Sequence, residues 1–426
     1  MIKSMFTAIT GLRANNLAMG VIGNNVANIN TWGFKAQRYS FADILGASIG
    51  NLRVGGGTKL SNITPNFSQG SVLNTGNPLD MAIDGNGFFI VKDPLSDTNY
   101  YTRVGQFIVD DTGNVTTPEG YILQGWKVDE DGNVSSTLED INIANISSLP
   151  KKTSHVQIGM NLNSEDSKPT KDWNLDPSNG PTDDCYNYST NIVVYDAYGA
   201  THTVSLYFRK VDDNTWEVHY VYKDDSGQYK EAGTQQLSFN DGSDDNPAGS
   251  LKDDNSSNPI TFSDWGNLQI YFDYGTGTDE GGSGLDGTTQ FAQDSNVSFI
   301  HQDGQEPGSL TRDLTIDEEG YLYGIFSNGT IRPLYKIPLA NFASPWNLEE
   351  LGNNVYGITN KSGQPIIGDA GSGGRGKILS GYLEQSNVDL ATEFTNLILS
   401  QRAFQANARI ITTSDELLTE LVNLKR

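Results

Sequence analysis

A seven-residue recurrence at each end of the chain is the feature that most narrows what it can fold into. Leu390, Leu397, Phe404, Ile411 and Leu418 are spaced seven apart, and Phe394, Ala408 and Val422 fill the adjoining row. Such spacing lays one apolar stripe along a helix, the seam of a coiled coil. No Gly or Pro interrupts residues 386–426, Asn387 and Asp389 offer side chains to cap the start, and Lys425 and Arg426 put positive charge at the carbonyl end. The opening of the chain has a matching stripe in Met5, Leu12, Met19 and Val26, with Ile9 between them. Gly11, Gly20, Gly23 and five Asn before residue 29 weaken that first helix in isolation, so it is expected to fold against a partner, and the other seam is available.

Between the seams the pattern changes. Thr31-Trp32-Gly33-Phe34-Lys35 reads as a helix stop, because Gly33 can take the left-handed conformation. Residues 36–70, with Gly55-Gly56-Gly57, read as an extended connector. From Asn77 onward short alternating runs are punctuated by Asp-Gly and Gly-Asn turns, which predicts antiparallel strands at 80–83, 87–91, 100–109 and 121–128. A second set follows at 190–195, 201–210 and 215–223, with long polar loops at 238–263 and 275–287. The run 314–326 returns to the style of the first set. The expected plan is therefore multidomain: a terminal α-helical coiled coil in which the N- and C-terminal helices pair, plus two mainly antiparallel β domains, the second inserted into the first. The boundaries read as 1–30 with 386–426 for the helical coiled-coil domain and 31–70 with 361–385 for the connector domain. Residues 71–145 with 296–360 form the discontinuous β domain, and 146–295 the inserted, acidic one.

Charge and cysteine exclude several classes. The chain has 426 residues and a net charge of −24, of which residues 151–295 hold 24 acidic against 9 basic side chains. Nucleic acid and anionic membrane would repel such a surface. A single cysteine, Cys185, excludes an intramolecular disulfide and a cysteine zinc cluster. No window has the length of a membrane span, and Asn15-Asn16 and Gly20 break the opening, so no secretory signal peptide is read there.

The motifs of chemistry fail on inspection. Gly55-Gly56-Gly57-Thr58-Lys59 lacks the order of a phosphate loop, and Gly85-Asn86-Gly87 precedes a strand rather than a helix. His155, His202, His219 and His301 are scattered, and the turns at Asp110, Asp129 and Asp317 lack the alternation of a calcium loop. The expectation is no enzyme, no catalytic residue, no cofactor and no metal. Trp173, Trp216 and Trp265 leave one rival of another class, a secreted carbohydrate-binding or adhesive β protein that would use them as ligand platforms; core or loop anchoring is their plainer role.

Thr10-Gly11-Leu12-Arg13-Ala14, Gly23-Asn24-Asn25-Val26-Ala27-Asn28 and Thr31-Trp32-Gly33-Phe34-Lys35 resemble the amino-terminal signature of bacterial flagellar rod and hook proteins. Ser386-Asn387-Val388-Asp389-Leu390, Gln401-Arg402-Ala403-Phe404-Gln405-Ala406-Asn407-Ala408 and Asn423-Leu424-Lys425-Arg426 look like its carboxyl-terminal counterpart. Met81 to Val91, Thr190 to Phe208 and Leu339-Ala340-Asn341-Phe342 resemble the hook members rather than the shorter distal rod protein, which is the alternative within the family. The resemblance implies a subunit of a flexible curved tube that transmits motor torque, with the terminal helices as inner tube and the β domains as outer layers. It implies partners as well: further copies of the chain, the distal rod protein, the hook cap, the hook–filament junction proteins and the type III export apparatus. The implied location is the extracellular hook, reached without a cleaved signal. In some hook proteins a middle-domain Cys becomes crosslinked to a Lys of the next subunit; here Cys185, with Lys168 and Lys171 nearby, is expected to be an inert small residue.

Overall fold

The computed structural model describes residues 2–423 other than 46, 47, 50, 51, 54 and 244. They form two compact units, one of residues 1–145, 311–325 and 331–426, the other of residues 146–310 and 326–330.

The first unit carries both long helices, α1 (Ile2–Ala27) and α2 (Leu390–Asn423). Asp389 caps α2: its Oδ1 accepts the Thr392 N–H at 2.9 Å, satisfying a donor the first turn cannot use. Asn387, the other candidate cap, is engaged elsewhere, and Lys425 and Arg426 lie outside the described residues. α1 ends at Ala27, six residues before the expected stop, where the Asn28 side chain donates to the Asn24 carbonyl at 3.0 Å and closes the last turn. Gly33 is left-handed (φ 64°), but it serves a close approach instead, since a Cβ there would sit 2.9 Å from the Val104 nitrogen.

The stretch read as an extended connector is a hairpin. Gln37–Asp43 pairs antiparallel with Thr58–Pro65, which satisfies backbone groups that a free connector would leave to water. Beyond it the outgoing and returning chain are hydrogen-bonded to each other: Val72–Asn74 with Tyr382–Glu384, and Met81–Asp84 with Lys377–Ser380. The main antiparallel path then runs through Tyr321–Phe326, Ile331–Lys336, Ile122–Val128, Phe88–Asp93, Thr98–Thr102, Val355–Gly357 and Glu349–Glu350. Its aromatic core includes Phe88, Tyr101, Phe342 and Tyr356, with the Tyr101 and Phe342 rings edge to face at 4.8 Å. The strand expected over 100–109 stops at Thr102, because the chain turns inward at Arg103 and Gly105 lies against the Met81 carbonyl, where no side chain fits.

In the second unit the two larger sheets share one core. Tyr188–Tyr195, Thr201–Asp212, Thr215–Lys223, Tyr229–Phe239 and Leu251–Asp253 make five strands; Ile260–Phe262, Leu268–Asp273, His155–Asn161 and Asn296–Gln302 make four. Alternation along Thr201–Asp212 turns Val204, Leu206 and Phe208 into the core beside Trp216, Tyr220, Phe272 and Tyr274. Residues 296–310, expected in the first β domain, belong to this unit, because Asn296–Gln302 pairs with His155–Asn161. Trp216 and Trp265 are core residues, and the half-buried Trp173 is stacked on His219 at 3.8 Å with its Nε1 donating to Glu231, so none is a free ligand platform.

The recurring Asp-Gly turns share one geometry. Asp110, Asp129, Asp196, Asp224 and Asp317 each accept backbone N–H groups two and four residues ahead, and the Gly in the fourth position has φ between 79° and 89°. One carboxylate thus closes each hairpin turn. Hydrogen bonds from the Thr112, Asn133 and Ser226 side chains and nearby amides hold Asp110, Asp129 and Asp224 below the ordinary 3.8. Burial alone would raise Asp303, but donors from His155 and Ser154 bring it down to about 2. Depressed folded-state values mean that the unfolded chain binds more protons in this range, so the stabilisation is complete above pH 3.8 and fades as pH falls towards 2. The urea midpoint, measured from pH 5 to 2, is expected to hold to about pH 4 and then fall steadily; a midpoint unchanged down to pH 2.5 would refute the role of these carboxylates.

Candidate assembly interface and its buried junction

α1 and α2 lie against each other in opposite directions. Near one end Asn25 donates through Nδ2 to Glu393 Oε1 at 3.0 Å; farther along, a Cβ on Gly11 would meet the Asn407 side chain at 2.9 Å. Gly11 and Asn25 are fourteen residues apart on α1, and Asn407 and Glu393 are fourteen apart on α2 in the reverse order, so the helices keep register over roughly 20 Å. The same register brings Ala18 level with Ser400, both buried.

Small and polar residues make the contacts that set this register, Gly11 with Asn407 and Asn25 with Glu393. Ala8, Gly11, Ala14, Ala18 and Asn25 are the buried stripe of α1, joined by Val21 and Ile22, and Ser400 and Ser414 are the buried positions of α2. The expected seam lies beside this contact. Met5, Ile9, Leu12, Met19 and Val26 are half-buried, as are Leu397, Ala408, Ile411 and Leu418. Leu390, Phe394 and Phe404 are 40%, 47% and 37% exposed, and the Val422 side chain lies outside the described residues. Small residues let two backbones approach closely, and large ones are thereby displaced to the flanks. The sequence signal for this was present in Ala8, Gly11, Ala14 and Ala18, spaced three and four apart, but bulk was read as the marker of contact.

At the base of the helices sits a buried ion cluster. Lys35 Nζ lies 2.6 Å from Glu384 Oε1 and Arg103 Nη1 3.6 Å from Glu384 Oε2, with the three side chains at most 2% exposed. Lys35 also donates to the Ser68 carbonyl, Arg103 to those of Ile83 and Gly85, and the Gly70 N–H to Glu384. Burial pushes the Lys35 ammonium and the Arg103 guanidinium down, and Glu384 opposes this in both. Beside the cluster Asn387 accepts from the Ala36 N–H at 2.7 Å and donates to the Asn66 and Ser68 carbonyls, while Asn25 exchanges hydrogen bonds with the Gln37 backbone. Residues from six separated segments therefore converge where the helices leave the β body. The sequence marks none of these roles: Lys35 stands in it only as part of a motif, and Asn387 as a candidate helix cap.

No catalytic arrangement is present among the described residues of either unit. The carboxylates of Asp253, Asp254 and Glu280 come within 4.8 Å of one another in the second unit, yet Asp254 already accepts the Ser256 and Tyr274 N–H groups. Cys185 is fully buried, while Lys168 pairs with Asp212 and Lys171 with Asp184. No described helix is long and apolar enough to cross a membrane.

Replacing Glu384 by Gln leaves two buried cations without their anion. Losing one member of a buried ion group costs about 3–5 kcal/mol. Denaturant unfolding of Glu384→Gln is expected to show a loss of that size, and a loss below about 1 kcal/mol would mean that the cluster is solvated.

Four known families match parts of the chain. They are described as Flagella basal body rod protein at residues 5–35, Flagellar hook protein FlgE/F/G D1 domain at 82–161, Flagellar basal body protein FlaE D2 domain at 161–305, and Flagellar basal body rod FlgEFG protein C-terminal at 379–424. Flagellar hook protein FlgE of Escherichia coli is 35% identical over 432 residues, covering 98% of this chain and 99% of its own. That of Borreliella burgdorferi is 35% identical over 462 residues, covering all of both. The crystal structure of Helicobacter pylori flagellar hook protein FlgE2 aligns with a TM-score of 0.49 at 18% identity, over 74% of this chain and all of that one.

Proposed function

The chain belongs to the bacterial flagellar hook protein family, and on that premise we propose that its terminal helices act as a coiled coil supplying the permanent contacts of a tubular polymer. Its function is structural, as a subunit of the flagellar hook, and the family is not an enzyme family. The second unit is a domain inserted into the first, and it faces outward as the acidic layer whose wet contacts slide when the tube bends. The connector, the first β domain and the helices form successive inner layers. Torque then passes through contacts that hold, while curvature changes through contacts that slip. The subunit leaves the cell through the type III export apparatus without a cleaved signal, assembles under the hook cap, and joins the distal rod protein below and the junction proteins above. Cys185, buried and with no free Lys beside it among Lys168 and Lys171, stays a thiol, so polymer boiled in detergent with reductant returns monomers.

One observation carries this reading: the helix pair leaves large apolar side chains in water. Phe6 is 61% exposed and Leu399 60%, with Leu17, Phe394, Ile398, Ile410 and Leu417 also exposed. A stable monomer has no use for such a surface, and further copies of the chain would cover it. Leu399→Asp tests this with little effect on the single chain. A charge buried without a partner costs more than about 3 kcal/mol, and each 1.4 kcal/mol or so is tenfold in concentration. Sedimentation is therefore expected to show assembly only at a concentration about a hundredfold higher, with the monomer's melting unchanged. Polymer formed at the wild-type concentration would refute the role of this face.

A further inference from the structure

The exposed side of α2 also carries an ordered row of charge. Arg402, Arg409 and Glu416 are spaced seven apart and Glu420 follows by four, so the four share one face, and all are exposed. The two cations come first and the two anions last. Helix formation does not account for this order, because the macrodipole disfavours acidic groups near a C-terminus.

None of the four finds a counterion among the described residues. Three or four residues from Arg402 are Ile398, Leu399, Gln405 and Ala406; from Arg409 they are Gln405, Ala406, Thr412 and Thr413. Glu416 has Thr412, Thr413, Thr419 and, with like charge, Glu420. Arg409 and Glu416 are separated by roughly 10 Å of rise, too far to pair along the helix. α1 offers no acid at all, the first in the chain being Asp43. Among the described residues none of these four side chains has an ion-pair partner.

We infer that this row pairs with the same row of a second copy, set parallel and displaced along the axis. A shift of fourteen residues brings Arg402 level with Glu416 of the neighbour, and one of eleven brings Arg409 level with Glu420, so a displacement between the two, roughly 19 Å, leaves each pair about 2 Å from level. In register, by contrast, every charge would face its like. The apolar neighbours Ile398, Leu399, Ile410 and Leu417 give the contact adhesion in any register, and the charges select one. The row therefore sets the axial step between neighbouring helices. This rests on the polymeric reading above and goes beyond it, because apolar burial alone fixes no step.

Full-length protein, seeded with sonicated polymer, tests it by sedimentation at low and high salt. Arg402→Glu with Arg409→Glu, and separately Glu416→Arg with Glu420→Arg, are each expected to raise the concentration needed for assembly at least tenfold. The chain carrying all four changes, and an equimolar mixture of the two double variants, are expected to return within threefold of wild type. Monomer circular dichroism should be unaltered throughout, since all four side chains are in water. Double variants that assemble as wild type, or a fourfold exchange no better than either, would overturn the pairing while leaving the polymeric reading intact. A wild-type chain that forms no polymer under any condition would overturn both.

Discussion

Two cations and one carboxylate buried together tie both ends of the chain to the β body of the first unit. Lys35 follows α1, Glu384 precedes α2, and Arg103 comes from the β body between them. Burying charge is expensive, and in a cluster with one more cation than anion the Ser68, Ile83 and Gly85 carbonyls take up part of the cations' donor capacity, although Arg103 Nε is left without a partner. That demand is directional. An apolar contact would let the two helix stems slide or rotate, whereas the ion cluster allows few arrangements of the chain segments it joins. The paired strands 72–74 with 382–384 and 81–84 with 377–380 extend the same constraint into the β body.

From this junction the helices divide their surfaces between two tasks. The face that α1 and α2 share uses Ala, Gly, Ser and Asn, which give close approach and a register fixed by Asn25 and Glu393, but little apolar burial. The large side chains are kept for the outside. A chain built this way has its ends aligned while large apolar side chains of the helices, such as Phe6 and Leu399, are still exposed, which suits a subunit whose stability is completed by its neighbours. The second unit follows the opposite rule: Trp216, Tyr220 and Phe272 are buried within it, and its surface carries most of the net charge.

The sequence disclosed what periodicity encodes and hid what long-range geometry decides. Heptads at both ends, alternation over Thr201–Asp212 and the Asp-Gly turns all announce local structure, and each appears where its pattern lies. The hairpin between 37 and 65 was missed because its strands are polar and half-exposed, so alternation is faint there. Asn296–Gln302 was assigned to the wrong unit because its partner, His155–Asn161, lies far away in the sequence. The junction was illegible for the same reason: Lys35 and Glu384 are 349 residues apart, and nothing local marks a Lys as buried. On the helices periodicity marks an apolar row without saying what covers it: Leu390, Phe394 and Phe404 are exposed in the single chain, while small residues such as Ala8, Gly11 and Ala18 are the buried ones on α1.

A double-mutant cycle on Lys35 and Glu384 tests the junction most directly. Lys35→Met, Glu384→Leu and the pair are unfolded in denaturant beside the wild type. If the cluster acts as a unit, Glu384→Leu strands two buried cations while Lys35→Met leaves Arg103 with its carboxylate, and the double variant, which removes one of the stranded cations, is more stable than the sum of the two losses implies, with a coupling of about 2–3 kcal/mol. Losses that add to within about 0.5 kcal/mol would contradict the account, because the two charges would then contribute separately and something other than their pairing would be holding the ends of the chain together.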